Sequence, residues 1–169
     1  RTRFFELYED LTSWHERQRR LVRKYGYVRS PFGRKRRLPE IFSPDKKIRG
    51  EAERQAINSP NQAFASDLNL FSFVRISREL PKEKIRPIGL IHDALLAWVR
   101  KGFVDEIVPQ VKRIMTDTET VEKVFNMSIP IPIEVDIKVG PWGMGKEYQE
   151  KPKNSVKIRG GKIHKEFSL

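Results

Sequence analysis

Two apolar runs, Ile88-Gly89-Leu90-Ile91 and Leu95-Leu96-Ala97-Trp98-Val99, are separated only by His92-Asp93-Ala94. A spacer that short admits a tight turn and no crossover, so the segment is predicted to fold as an antiparallel hairpin. That fold places His92 and Asp93 at the hairpin tip. Asp is an ordinary turn residue, and an acidic corner is one reading of Asp93. The other reading follows from rigidity. Apolar strands close on both sides hold the carboxylate at a sheet edge, where it is well placed to bind Mg²⁺, an ion that takes one or two carboxylates plus substrate phosphates.

Helical patterns surround this hairpin. From Thr2 to Tyr25, Phe4, Leu7, Tyr8, Leu11, Trp14, Leu21 and Val22 recur at three- and four-residue steps, and Gly26 ends the pattern. Arg17, Arg19, Arg20, Arg23 and Lys24 load the end of that helix with charge its dipole favours. Tyr27 to Pro39 is punctuated by Pro31, Gly33 and Pro39 and reads as a short basic hairpin. A long helix is predicted from Ile48 to Arg78, interrupted by Pro60. Pro81 and Pro87 bracket a loop ahead of the apolar hairpin. A third helix runs from Phe103 to Met115, with Pro109 inside it, and Thr120 to Phe125 adds a further turn. Ile131, Ile133, Val135, Ile137 and Val139 alternate with Glu134, Asp136 and Lys138, the pattern of a half-buried strand. The chain from Lys146 to Leu169 is a basic tail with a small hairpin expected at Gly160-Gly161. The class is α+β.

Charge narrows the partners. The 169 residues carry 34 Lys and Arg against 22 Asp and Glu, a net +12 that favours polyanions, nucleic acid first. The absence of cysteine excludes disulfides and thiolate metal sites and fits an intracellular, cytoplasmic setting. No apolar run approaches the roughly 20 residues that span a bilayer, so no membrane partner is expected. Arg1-Thr2-Arg3-Phe4-Phe5 reads as the interior of a helix, which suggests a piece or processed product of something longer. No Gly-rich phosphate loop, catalytic triad or zinc site is present, and His15 and His164 lack partners at ligand spacing.

Two further constellations matter. Arg54, Asn58 and Gln62 stand four residues apart and share one face of the long helix. A cation suits phosphate, and amides reach the acceptors common to base pairs in the minor groove, although a solvated polar face has the same pattern. Arg34-Lys35-Arg36-Arg37 is a dense positive knot, readable as an ordered nucleic-acid contact, a localisation signal or a solvated loop.

The order of these segments resembles family A (polymerase I-like) DNA polymerases. Gly26-Tyr27-Val28 followed by Phe32-Gly33-Arg34-Lys35-Arg36 is similar to the segment after the fingers helices. Glu51 to Asp67, containing Arg54, Asn58-Ser59-Pro60 and Gln62, resembles the long helix beneath the primer-template. Ile91-His92-Asp93 with its apolar strand resembles motif C, and Ile131 to Trp142 resembles the closing strand. The likeness covers Arg3 to Gly143.

It implies an incomplete right-hand fold: an antiparallel palm hairpin and closing strand packed with fingers and palm helices. Residues 1–47 would be the end of the fingers with the basic hairpin, 48–145 the palm portion, and 146–169 the tail. Asp93 would be one of two metal-binding aspartates, and His92 would contact the primer end. Arg54, Asn58 and Gln62 would line the duplex, and Arg34 and Arg36 would support template or backbone contacts. The implied partners are primer-template DNA, deoxynucleoside triphosphates and Mg²⁺. The family's motif A aspartate and nucleotide-gripping helix lie upstream of these segments, so an N-terminal segment or separate chain would have to supply them. Ala94 stands where the family commonly has Glu, which removes a carboxylate near the metals. A phage-type single-subunit RNA polymerase, which shares the His-Asp hairpin, and a non-catalytic DNA-binding or processivity module are the alternatives.

Overall fold

Gly26 sets the first boundary. Helix α1 (Glu9–Tyr25) ends where Gly26 turns left-handed, with φ 70°, and donates its N–H to the Val22 carbonyl at 2.8 Å. A side chain there would be strained by the backbone and would meet the Phe42 ring at 2.8 Å. The reversal feeds the chain into β1 (Tyr27–Arg29), paired antiparallel with β2 (Lys35–Arg37). A short 3₁₀ turn over Pro39–Phe42 follows. The computed structural model describes residues 8–141 and 143–149, and the backbone of 157–159 and 162–164. The expectations for Phe4, Leu7 and Trp142 lie outside the described residues.

Helix α2 (Lys46–Glu79) spans 34 residues and is capped by Asp45, whose carboxylate accepts from the Lys47 N–H at 2.7 Å. The interruption expected at Pro60 does not occur: the helix continues through it, and Pro60 is buried. A proline costs one ladder bond in a long helix, and burial of its ring against the neighbouring elements offsets part of that loss.

The hairpin forms as expected, but β3 (Ile85–Ile91) starts earlier than the apolar run suggested and pairs with β4 (Ala94–Val99). Its register shifts between Pro87 and Gly89. Pro87 has no N–H for the ladder, and a bulge is one of the few places a strand tolerates it. Helices α3 (Val104–Thr116) and α4 (Thr118–Phe125) follow.

The expected strand over Ile131 to Val139 is mostly unpaired. Only β5 (Lys138–Val139) forms a ladder, with β6 (Lys146–Glu147). Pro130 and Pro132 remove two donors, and no strand among the described residues lies alongside 131–137. The alternation survives as burial: Ile133, Val135 and Ile137 are half-buried, while Glu134 and Asp136 are exposed. In the tail, β7 (Lys157–Arg159) pairs with β8 (Lys162–His164), the small hairpin expected there.

Two cores form at opposite ends of α2. Val22, Val28, Leu38 and Ile41 close on Ala52 and Ala56 at its start. Ile76, Leu80, Ile85, Ile107 and Ile114 pack at its end, with Leu95, Ala97 and Val99 of β4 against them. An aromatic chain joins the two. The Phe32 ring lies 5.5 Å from Phe64 and 4.5 Å from Phe125, and Phe125 lies 5.2 Å from Phe71. Offset and edge-on rings at such separations attract one another beyond the area they bury.

Candidate nucleic-acid interface

Helix α2 changes its buried face along its length. Ala52, Ala56 and Pro60 are buried on one side of its first half. At 3.6 residues per turn, Ser72 falls about five turns beyond Arg54 and on the same side, and Ile76 lines up with Asn58. Ser72 and Ile76 are buried, whereas Arg54, Asn58, Gln62 and Ser66 are exposed. The polar stripe of the first half therefore points along the side of the helix on which the second half carries the hairpin.

The stripe ends in a contact. Asn69 falls within the same arc as Asn58 and Gln62, and its Nδ2 donates to the backbone carbonyl of Asp93 at 2.6 Å. From Arg54 to Asn69 the helix rises about 22 Å. A duplex laid along it would advance roughly six base pairs over that length. The long helix and the hairpin tip are thus two parts of one surface.

At the tip, His92 has a φ of 54°, and Asp93 follows with an ordinary negative φ. A two-residue loop with a positive φ at its first position normally takes glycine. Histidine accepts the left-handed region better than most side chains but still at a cost. His92 and Asp93 are both exposed. Ala94 opens β4 and carries no donor or acceptor in its side chain. Among the described residues, no group of three or more His, Asp or Glu could enclose a metal ion. One carboxylate fits Mg²⁺ only as part of a donor set completed from elsewhere and by phosphate oxygens. At the tip only Asp93 offers such a carboxylate, and it is exposed.

The basic hairpin forms the other wall. A groove of about 380 Å³ lies between β1–β2 and α2, lined by Ser30, Arg34, Arg36, Ser59, Gln62 and Ser66 among others. Lys35, Arg36 and Arg37 are exposed along β2. Arg34 is drawn inward: its guanidinium reaches Asp67 Oδ1 at 3.1 Å and the Ala63 carbonyl at 3.5 Å. Ser30 Oγ donates to Asp67 Oδ2 at 3.2 Å and accepts from the Arg34 backbone N–H at 3.2 Å. Arg34 therefore ties the hairpin to α2, while Arg36 keeps its charge toward the groove.

Arg54 pairs with Glu51 one turn earlier, its Nε 3.1 Å from the carboxylate. That hydrogen bond, with the charge of the guanidinium, holds the Glu51 carboxyl below its usual range. Both side chains are exposed, and such pairs are worth little in water, so Arg54 can exchange Glu51 for a phosphate at small cost.

Sequence reasoning missed Asn69, Asp67 and Ser30. Asn69 had a signal, because it continues the Arg54 stripe by helical spacing. Asp67 and Ser30 had none, since their contact spans 37 residues and depends on how the hairpin docks. No helix among the described residues is long and apolar enough to cross a membrane.

A family model described as DNA polymerase family A matches residues 1–144. The chain is similar to the thermostable DNA polymerase I of Thermus thermophilus, at 30% identity over 146 residues, covering 86% of this chain and 16% of that protein. It is 31% identical over 140 residues to DNA polymerase I of Pseudomonas aeruginosa, covering 82% and 14%. The DNA polymerase of Bacillus phage SP01 matches at 28% over 140 residues, covering 82% and 15%. Among solved structures, the POL domain of Pol1 from M. smegmatis, in complex with DNA primer-template and dNTP, superposes with a TM-score of 0.66 at 26% identity. That likeness covers 78% of this chain and 22% of the other. The chain spans only 14–16% of the length of these curated relatives. The helices and small antiparallel hairpins form the partial polymerase fold expected from the four ordered segments.

Proposed function

This chain belongs to DNA polymerase family A, and on that footing we propose that it forms the duplex-holding and motif C portion of a DNA-directed DNA polymerase. The observation that carries this is the exposed stripe of Arg54, Asn58 and Gln62 running along α2 to the tip that bears Asp93. In this reading primer-template DNA lies along the stripe. Arg54 meets a phosphate, and Asn58 and Gln62 donate to the minor-groove acceptors that all base pairs share. Arg36 follows the nucleic-acid backbone from the facing hairpin, and Arg34 supports it by fixing that hairpin. His92 touches the primer end. Residues 1–47, 48–145 and 146–169 divide the work into fingers end, palm and basic tail, with the tail gripping DNA or a partner.

Asp93 would contribute one carboxylate toward Mg²⁺, which when bound would supply charge stabilisation for the transferring phosphoryl group. The reaction is addition of a deoxynucleotide, from its triphosphate, to the primer 3′ end. A second aspartate and the residues that grip the nucleotide come from an upstream segment or a separate chain, as in a split polymerase of a phage or similar genome. Support for such a partner comes from the β3–β4 sheet, which has two strands and no further neighbour among the described residues. Ile88, Ile91 and Trp98 on it are 64%, 49% and 50% exposed, a level of apolar exposure that an added element would cover. In this reading the protein works in the cytoplasm of a bacterial or phage-infected cell.

Asp93→Ala in the complete polymerase is the test. Nucleotide addition should be abolished, while primer-template affinity stays within about twofold of wild type, because Asp93 lies off the Arg54 stripe. Retention of more than about a tenth of wild-type turnover, a loss of only ~1.4 kcal/mol, would overturn the assignment.

A further inference from the structure

The tip that bears Asp93 is exposed, its first residue sits in a left-handed conformation that a β-carbon disfavours, and no apolar side chain of the turn anchors it. A hairpin of two strands is marginal by itself, and its end is the part that frays first. A carboxylate used to hold a metal must stay within about 0.5 Å of its productive position. Something outside the hairpin has to fix the turn. Among the described residues one side-chain hydrogen bond does so: Asn69 Nδ2 to the Asp93 carbonyl, 2.6 Å, across 24 residues of chain.

The placement of the donor gives the bond its meaning. Asn69 is half-buried on α2, between the exposed stripe of Arg54, Asn58 and Gln62 and the buried Ser72 and Ile76. It therefore holds the peptide after Asp93 to the same rigid helix that carries the duplex-facing residues. The acceptor is a backbone carbonyl, so the bond fixes the orientation of the turn and leaves the Asp93 carboxylate free for a ligand. An aspartate in place of Asn69 would keep the shape, lose the donor and add a negative charge beside the tip. A leucine would keep the approximate volume and leave the exposed carbonyl to solvent, with no tie to α2.

We infer that Asn69 is a positioning residue, clamping the His92-Asp93 turn to the DNA-bearing helix so that the Asp93 carboxylate and the primer terminus share one frame. The inference rests on the proposed role of Asp93 toward Mg²⁺. Residues that orient a metal ligand typically cost about 10–100-fold in metal affinity or activity when removed. The Asn69 amide is committed to the Asp93 carbonyl and the clamp acts on geometry, so its loss should appear in turnover and metal requirement and leave duplex affinity alone.

The experiment uses the complete polymerase with Asn69→Leu, Asn69→Asp and Asn69→Gln, beside Asp93→Ala. Turnover, the half-saturating Mg²⁺ concentration and the primer-template dissociation constant are measured for each. Asn69→Leu and Asn69→Asp should lose about 10–100-fold in turnover and need several-fold more Mg²⁺, with DNA affinity within about twofold of wild type. Asn69→Gln, which keeps the amide donor on a longer arm, should recover part of the loss. Turnover and Mg²⁺ requirement unchanged in Asn69→Leu, with Asp93→Ala inactive, would overturn the clamp and leave the proposed function standing. An equal fall in DNA affinity with an unchanged Mg²⁺ requirement would also overturn it, since that pattern means α2 itself has loosened. An active Asp93→Ala would remove the proposed function first, and this inference with it.

Discussion

Replacing Arg34 by alanine separates two roles that a basic loop can combine. Its guanidinium lies 3.1 Å from Asp67 Oδ1, and the Asp67 side chain is only 12% exposed. Removing Arg34 leaves that carboxylate with the Ser30 hydroxyl as its remaining side-chain donor. A hydrogen bond to a charged group contributes about 1.5–3 kcal/mol when well shielded. Arg34 itself is 53% exposed, so solvent screening reduces the figure. The expected cost is about 1–2 kcal/mol, localised to the docking of β1–β2 on α2. Hydrogen exchange of the amides in 27–37 reads it directly: opening should become about five- to thirty-fold more frequent. A double-mutant cycle with Asp67→Asn should return a coupling of about 1 kcal/mol. Salt-dependent DNA binding supplies the contrast. Arg36 makes no ion pair among the described residues, so Arg36→Ala should lower the slope of log affinity against log salt by about 0.9, one phosphate contact. Arg34→Ala should change that slope far less. Unchanged exchange in 27–37 together with a full loss of one phosphate contact would refute the reasoning and make Arg34 a direct DNA ligand.

The stripe and the α3–α4 junction give further tests. Arg54→Ala should weaken primer-template binding across unrelated sequences and reduce the salt slope by about 0.9; if affinity and slope both stay put, the face is merely solvated. Asp117, the cap of α4, accepts from the Thr120 hydroxyl at 2.6 Å, the Thr120 N–H at 3.1 Å and Arg75 at 2.8 Å. The Thr120 hydroxyl leads in holding its carboxyl below the usual range, with the Thr120 N–H and Arg75 adding to it against an opposing effect of burial. Because the folded value is depressed, the stability Asp117 contributes is fully present above about pH 4, its unfolded range, and is lost as pH falls through the lower folded value. Asp117→Asn keeps a capping oxygen but loses the charge-assisted bond to Arg75. It should cost about 1 kcal/mol at neutral pH and flatten the acid dependence of exchange in 118–125. An acid profile identical to wild type would contradict the assignment.

Much of this was legible in the chain itself. Three residues between two apolar runs permit one topology, so the hairpin and the placing of Asp93 at its tip follow from the sequence. Gly26 ends α1 for a local reason, its left-handed φ. The four-residue spacing of Arg54, Asn58 and Gln62 puts them on one face by helical geometry alone. The order of the four segments sufficed to recognise the family. Periodicity also carried a limit. Residues 131–139 alternate as a strand does and are half-buried in alternation from Ile133 onward, yet most of them pair with nothing among the described residues, because alternation reports a face and not a partner.

What tertiary structure alone decided is how the elements meet. The amphipathic pattern of α2 cancels along its length, because Ala52 and Ala56 bury one side against the first core while the other side is buried farther on, at Ser72 and at Ile76 in the second core. No window of sequence reveals that exchange, and it is what aims the Arg54 stripe at the hairpin. The contacts that finish the surface join residues 24 and 37 positions apart, Asn69 to Asp93 and Ser30 to Asp67. Local propensity fixes dihedral angles over a turn or two of chain; the partner of a polar side chain is fixed by which buried faces come together, and that is a property of the packed whole.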